Sequence, residues 1–167
     1  MTATANPEAL KALLYKMADD QLIYGHRNSE WTGIGPTLEE EISFSSIAQD
    51  KIGHAYNYYQ LLEKLGEGDP DQIAFNRQDT NFKCCHLVEY PTFEYDFSLI
   101  RHFLFDHAEY LRVELLMESS HEPLANLAKK LKGEIKYHLF HADTLIKQLG
   151  NGTEESKSRL QTSLDEA

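Results

Sequence analysis

Four long stretches of this chain carry apolar residues at helical spacing, and each apolar stripe contains polar residues near its middle. Steps of three and four residues place the members of a stripe on one helical face. The polar interruptions are Gln21, then Lys51 and His54, then Asp106, and finally His138. Because the other members of each stripe are apolar or aromatic, we expect these five side chains to face one shared, buried region.

The stripes themselves run through most of the chain. Their members are Leu10, Leu14, Met17, Gln21 and Tyr24; Ile47, Lys51, His54, Tyr58, Leu61 and Leu65; Leu99, Phe103, Asp106, Tyr110, Val113 and Met117; and Leu131, Ile135, His138, Ala142, Leu145 and Leu149. No strand-like alternation of apolar and polar residues competes with this repeat. The sequence therefore predicts an all-α protein.

Capping residues and helix breakers set the expected limits of the helices. Asn6 followed by Pro7 is typical of a helix start, and Thr37 with Glu40 forms a capping-box signature. Thr92 and Ser120 have the side chains of N-caps for the third and fourth helices. The predicted helices are residues 7–30, 37–66, 92–119 and 120–149, a fifth from 153 onward, and a short helix near 71–75.

The order of these helices predicts a ferritin-like four-helix bundle. Two helical hairpins are joined by a long crossover after the second helix, over residues 66–91, and this connectivity is typical of ferritin-like folds. With 167 residues and 41% hydrophobic content, the chain is long enough for one domain over residues 1–167. A chain of this length buries roughly two-thirds of its unfolded surface.

Charge and hydropathy exclude several classes of partner. Sixteen Lys and Arg against 27 Asp and Glu give a formal net charge of -11, which would repel a nucleic-acid backbone. No window approaches the ~20 apolar residues that a membrane span requires, and residues 1–6 lack the pattern of a secretion signal. We therefore expect a cytoplasmic protein that binds neither nucleic acid nor membrane.

The buried polar positions correspond to those of a di-iron site. Ferritin-like di-iron proteins place one acidic ligand on each of two helices and a Glu-x-x-His pair on each of the other two. Lys51 stands three residues before His54, where a glutamate is expected. Ile135 stands three residues before His138, where the second glutamate is expected. Both glutamates of the motif are thus replaced.

The remaining two carboxylate positions fall on Gln21 and Asp106, so only His54, Asp106 and His138 keep metal-binding chemistry. Asp106 then supplies the sole negative charge of the site. The Lys51 ammonium at ~5 Å would repel a dication by roughly 6 to 7 kcal/mol at an effective dielectric of ~20. We therefore predict a degenerate site without metal, in which Lys51 forms a buried ion pair with Asp106.

Simpler interpretations apply to several of these residues. A histidine on an apolar face is more often a hydrogen-bonded core residue than a ligand, which favours a structural role for His54 and His138. The acidic run that includes Glu40 is expected to complement the helix dipole. Glu134 and His141 lie beside the fourth stripe and are expected in solvent or at an interface. His102 is four residues before Asp106 and is placed to hydrogen-bond with it.

Five segments spread over the chain carry a family resemblance. They are Asp20–Trp31, Pro36–Ile42, Phe103–Asp106, Glu134–His138 and Gly152–Ser156. Together these segments resemble the structural subunits, known as PaaC, of the ring 1,2-phenylacetyl-CoA epoxidase. The resemblance implies a ferritin-like fold and a non-catalytic subunit of a multicomponent monooxygenase that acts in phenylacetate catabolism.

The resemblance also implies that the subunits of the epoxidase have different roles. In this family the homologous catalytic partner, PaaA, carries the di-iron centre that epoxidises phenylacetyl-CoA, so no cofactor is expected in this chain. Gln49–His54 looks like the metal-binding segment of PaaA with Lys51 in place of glutamate. Departures from the ligand pattern are Gln21, Lys51 and Ile135, and matches are His54, Asp106 and His138.

Two other functions remain open from the sequence. One is an independent ferritin-like oxidase with a mononuclear metal site at His54, Asp106 and His138. The other is a stand-alone helical binding module. Members of the family usually continue past the equivalent of Ala167, so we expect this chain to be truncated relative to them. Other epoxidase subunits are candidate partners besides PaaA, and self-association into a homodimer is a further candidate.

Overall fold

The computed structural model describes residues 6–91 and 94–167, and all regular secondary structure in these residues is helical. The helices are α1 (Pro7–Ser29), α2 (Leu38–Lys64), α3 (Pro70–Phe75), α4 (His86–Glu89), α5 (Tyr95–Leu116), α6 (Glu122–Gly150) and α7 (Glu154–Glu166), with a 3₁₀ turn at Asp79–Asn81. The predicted all-α, ferritin-like class is confirmed. None of the described helices is long and apolar enough to cross a membrane.

The four long helices form two hairpins packed against each other. Helix α1 packs along α2, and α5 packs along α6, while α2 also contacts α6 across the bundle. Helix α7 lies against α5 and α6. One apolar core cluster, which includes Leu14, Leu62 and Leu131, fills one end of the bundle, and a smaller cluster around Leu99 and Leu160 fills the other. The polar residues of the stripes lie between these two ends.

Most helix limits agree with the sequence, and two starts differ. The Asn6 side chain accepts the backbone N–H of Glu8 at 3.1 Å at the start of α1. Thr92, the predicted cap of the third helix, lies outside the described residues, and α5 begins at Tyr95 with Glu94 as its N-cap, so the predicted start is wrong. The predicted Ser120 cap is wrong, because α6 begins at Glu122 and its N-cap is His121. The His121 imidazole accepts the Leu124 N–H at 3.3 Å, and this acceptor replaces the hydroxyl that cap preferences favour.

Carboxylates on α1 anchor the crossover to the bundle. Asp19 is fully buried and accepts hydrogen bonds from the Tyr59 hydroxyl at 2.7 Å and from the Lys83 backbone N–H at 2.8 Å. Arg77 binds both oxygens of the same carboxylate, at 2.5 and 3.1 Å. The neighbouring Asp20 accepts the Cys85 backbone N–H at 2.7 Å. These bonds fix the irregular segment against the helices that carry the polar residues.

Replacing Asp19 with asparagine should lower the free energy of unfolding by about 2 to 3 kcal/mol, because an amide loses the charge and one acceptor that Arg77 uses. Urea unfolding followed by circular dichroism measures the change. Asp71→Asn is the matched control, since Asp71 is exposed and should change stability by less than about 0.5 kcal/mol. Equal stabilities for both variants would contradict the anchoring role of Asp19.

Candidate functional site

Polar side chains from all four long helices meet in a buried layer between the two apolar ends. The six positions predicted from the sequence are each at most 1% exposed: Gln21, Lys51, His54, Asp106, Ile135 and His138. Each of the four helices contributes at least one of these side chains, because the stripes of α1, α2, α5 and α6 all face the bundle axis. We call this layer the polar layer.

Lys51 and Asp106 lie together at the centre of the polar layer. The Lys51 ammonium donates a hydrogen bond to Asp106 Oδ1, and both side chains are fully buried. The ammonium also lies 5.4 Å from the ring centroids of Tyr24 and Phe105, at cation–π distance. The Lys51 ammonium is thus held by one carboxylate and two aromatic rings.

Histidines complete the surroundings of Asp106. His102 Nδ1 lies 2.7 Å from Asp106 Oδ2, in agreement with the four-residue spacing, and His138 Nδ1 lies 3.6 Å from Oδ1. Burial by itself would raise the pKa of Asp106. The charge of Lys51 and the nearby imidazoles of His102 and His138 outweigh burial and hold this pKa well below its usual value. Asp106 is therefore ionised inside the bundle.

Two further carboxylates reach the polar layer from its edge. Glu134 Oε2 lies 2.7 Å from His54 Nε2, and Asp50 Oδ2 lies 3.0 Å from His138 Nε2. The hydrogen bond from His138 lowers the pKa of Asp50. The expectation that Glu134 is simply solvated is corrected here, because its long side chain reaches inward from beside the stripe while staying 43% exposed.

The imidazole rings of His54 and His138 stack, and burial determines the charge of His54. The His54 and His138 ring centroids are 6.1 Å apart, with 29° between the planes. Burial, then the charge of Lys51, and then His138 lower the pKa of His54 to about 3. His54 is therefore a neutral ring near pH 7, as a hydrogen-bonded core histidine would be.

A second chain of contacts leaves the polar layer towards the start of α2. His141 Nδ1 lies 3.2 Å from His102 Nε2, and His141 Nε2 lies 3.2 Å from Glu40 Oε1. The Tyr95 hydroxyl donates to Glu40 Oε2 at 2.6 Å. The expected solvated position of His141 is therefore wrong, and Glu40 does more than complement the helix dipole.

Sequence reasoning missed Glu109. This glutamate is fully buried one turn after Asp106, and its Oε2 lies 2.9 Å from Arg112. Burial raises the pKa of Glu109. The sequence had suggested that Asp106 is the sole carboxylate of the core. The buried Glu109 shows that it is not. The three-residue step from Asp106 to Glu109 was the available signal, since such a step keeps two residues on one helical face.

The arrangement does not fit a di-iron centre. Lys51 and Ile135 replace two carboxylates, and neither polar atom of the Gln21 side chain has a hydrogen-bond partner among the described residues. The carboxylates at the edge lie against histidine nitrogens that a metal would need. Within residues 6–91 and 94–167, no three His, Cys, Asp or Glu side chains are grouped so as to hold a metal ion.

Comparison with known proteins agrees with the resemblance seen in the sequence. The family described as phenylacetic acid catabolic protein matches residues 1–167. The chain is also 32% identical over 157 residues to one of the subunits of the 1,2-phenylacetyl-CoA epoxidase of Escherichia coli (strain K12). The aligned region covers 93% of this chain and 63% of that relative, so the chain spans less than two thirds of the relative's length.

Proposed function

The chain belongs to the phenylacetic acid catabolic protein family, and we propose that it is a non-catalytic structural subunit of a phenylacetyl-CoA 1,2-epoxidase. In this proposal it docks on and supports a di-iron catalytic subunit of the PaaA type in aerobic phenylacetate catabolism. The observation that carries the proposal is the Lys51–Asp106 ion pair at the centre of the polar layer.

The charges of the polar layer support a structural role. An ammonium occupies the region where the family's catalytic members are expected to hold iron, and its own positive charge is neutralised by Asp106. A dication brought to ~5 Å from the Lys51 nitrogen would be repelled by roughly 6 to 7 kcal/mol. The contacts of Lys51, Asp106, His102 and His138 tie α2, α5 and α6 together. A bundle fixed in this way offers a rigid outer surface to a partner.

The polar layer gives little support to a mononuclear oxidase at His54, Asp106 and His138. Lys51 lies against Asp106, and one nitrogen of each histidine lies against an edge carboxylate. A metal would have to displace the ammonium and two carboxylates before it gained three ligands. A stand-alone binding module is less favoured because the relative is described as one subunit of an epoxidase.

Co-expression with a PaaA-type subunit tests the proposal. We expect a stoichiometric complex on size-exclusion chromatography, with iron in the catalytic subunit alone by elemental analysis of the separated chains. The isolated chain, given reductant and phenylacetyl-CoA, should consume no oxygen. An isolated chain that turns over substrate, or that never associates with the catalytic subunit, would overturn the proposal.

A further inference from the structure

The outward side of α2 carries a second stripe of residues, which points away from the polar layer. Its members recur in alternating steps of four and three residues, the spacing by which one helix packs along another. Ser45 is half-buried, and the other members are exposed. We call this stripe the α2 seam, and its members are Leu38, Ile42, Ser45, Gln49, Ile52 and Tyr56.

The α2 seam is uncharged, although 26% of the residues of this chain are charged. Within residues 42–60 the charged residues are Asp50 and Lys51. Lys51 is buried in the polar layer, and Asp50 lies against His138. Loss of charge together with exposed aliphatic and aromatic side chains is typical of the centre of a protein interface. The seam extends over roughly 27 Å of α2 at 1.5 Å per residue.

We propose that two copies of the isolated chain pack against each other through the α2 seam. In this dimer the two α2 helices are antiparallel, and a two-fold axis passes beside Gln49. The proposal concerns the surface of this chain alone and does not depend on the proposed function.

The order of residues along the α2 seam matches itself under this two-fold axis. Ile42 and Tyr56 each lie seven residues from Gln49, so Ile42 of one copy lies opposite Tyr56 of the other. Ile52 likewise lies beside Ser45 of the second copy. Each contact occurs twice, as in any two-fold interface. The two Gln49 amides meet at the axis, and each offers a donor and an acceptor to the other.

Charge also favours a second copy at this surface. Two chains with a net charge of -11 repel each other, but an uncharged seam brings no like charges into contact. The outer face of α6 is different, because the exposed Tyr137 and Phe140 share it with Lys129, Lys130 and Lys136. A two-fold contact through α6 would place these ammonium groups against each other.

Two grooves beside the α2 seam can receive side chains of the second copy. One groove, of about 510 Å³, lies between α1 and α2 and is lined by Ser45, where the axis places Ile52 of the second copy. The other, of about 300 Å³, lies between α2 and α3 and is lined by Tyr56 and Phe75. Ile42 of the second copy lies level with this second groove.

The size of the surface predicts a dimer of moderate affinity. At ~10 Å per helix, the seam and the neighbouring helix are about 20 Å wide and roughly 27 Å long. Two copies together then bury roughly 1,100 Å², which exceeds the ~1,000 Å² of a specific interface and is below the standard ~1,600 Å². We therefore expect a dissociation constant in the micromolar range.

Sedimentation equilibrium of the full chain at micromolar concentrations tests the dimer. The mass should rise with concentration from the 19.2 kDa of one chain towards twice this value. Ile42→Glu places a carboxylate opposite Tyr56 of the second copy and should raise the dissociation constant at least about tenfold. Leu115→Glu, at a residue of α5 that is 78% exposed, is the matched control and should leave the dissociation constant unchanged.

Cysteine cross-linking tests the position of the axis. In a chain with Cys84→Ser and Cys85→Ser, the variant Gln49→Cys should form a disulfide-linked dimer on mild oxidation, because its two thiols meet at the axis. Gln60→Cys is the matched control on the same side of α2. Its two copies would lie roughly 33 Å apart along the antiparallel helices, so it should not cross-link.

A chain that stays monomeric at every concentration would overturn the proposal. A dimer that persists in Ile42→Glu, or that is lost in Leu115→Glu, would also overturn it, as would equal cross-linking of Gln49→Cys and Gln60→Cys. A monomeric chain that binds a co-expressed PaaA-type subunit, and loses this binding in Ile42→Glu, would assign the seam to the catalytic subunit and would equally overturn the dimer.

Discussion

Lys51→Met should lower the free energy of unfolding by about 3 to 5 kcal/mol, because it leaves the Asp106 carboxylate buried without its cation. Asp106 is fully buried, so water cannot replace the lost ammonium without opening the bundle. The imidazoles of His102 and His138, which lie 2.7 and 3.6 Å from the Asp106 carboxylate, compensate only in part. Chemical unfolding at pH 7, fitted with a common slope, measures the loss.

Two further variants separate the buried pair from ordinary surface charge. In Lys51→Met with Asp106→Leu, both charges are removed, and most of the lost stability should return because an apolar pair of similar volume avoids the desolvation cost. Lys157→Met breaks an exposed ion pair with Glu154 and should cost less than about 1 kcal/mol. A double variant as unstable as Lys51→Met would contradict our account of the pair.

Helical periodicity predicted the polar layer because it reports the direction in which each side chain leaves its helix. Lys51 and Asp106 have opposite charges on facing stripes, and this alone led to the predicted pairing; the structure places the two side chains in contact. The four long helices were likewise predicted, since their stripes and most of their caps are local signals.

Helical periodicity does not report how far a side chain reaches, and the errors in the predicted positions of Glu134 and His141 arose for this reason. Glu134 and His141 leave α6 beside the stripe, yet both are long enough to contact rings inside the bundle. Asp50 does the same from α2. A position one step off the apolar face can therefore belong to the site whenever its side chain is long and a partner lies opposite.

Contacts between distant parts of the chain were beyond sequence reasoning for a different reason. Asp19 binds Arg77 and Lys83, which are 58 and 64 residues away along the chain. The crossover has no periodic pattern, so nothing in the sequence specifies which carboxylate it meets. Only the packed structure shows that Asp19 and Asp20 of α1 are anchors.

Stability should fall steadily as the pH is lowered from about 6.5 towards 3, and His54 should account for much of the fall. Its pKa is about 3 in the folded chain, because burial, Lys51 and His138 disfavour the imidazolium, and near 6.5 when unfolded. Between these values the unfolded chain binds a proton that the folded chain does not. Acid therefore favours unfolding, by up to about 4 kcal/mol at about 1.4 kcal/mol per pH unit.

Between pH 6.5 and 5 the carboxylates with lowered pKa, Asp106 and Asp50, keep their contribution, which they lose only in stronger acid. Burial also lowers the pKa of His102, so the share of His54 is the difference between the wild type and a variant at position 54. His54→Gln keeps a donor for Glu134 and cannot titrate, so its unfolding free energy should depend less on pH than that of the wild type. His86→Gln, at a fully exposed histidine, should leave the pH dependence unchanged. If the free energies of unfolding of the wild type and His54→Gln changed equally with pH across this window, His54 would take up its proton in the folded chain. That result would contradict the prediction.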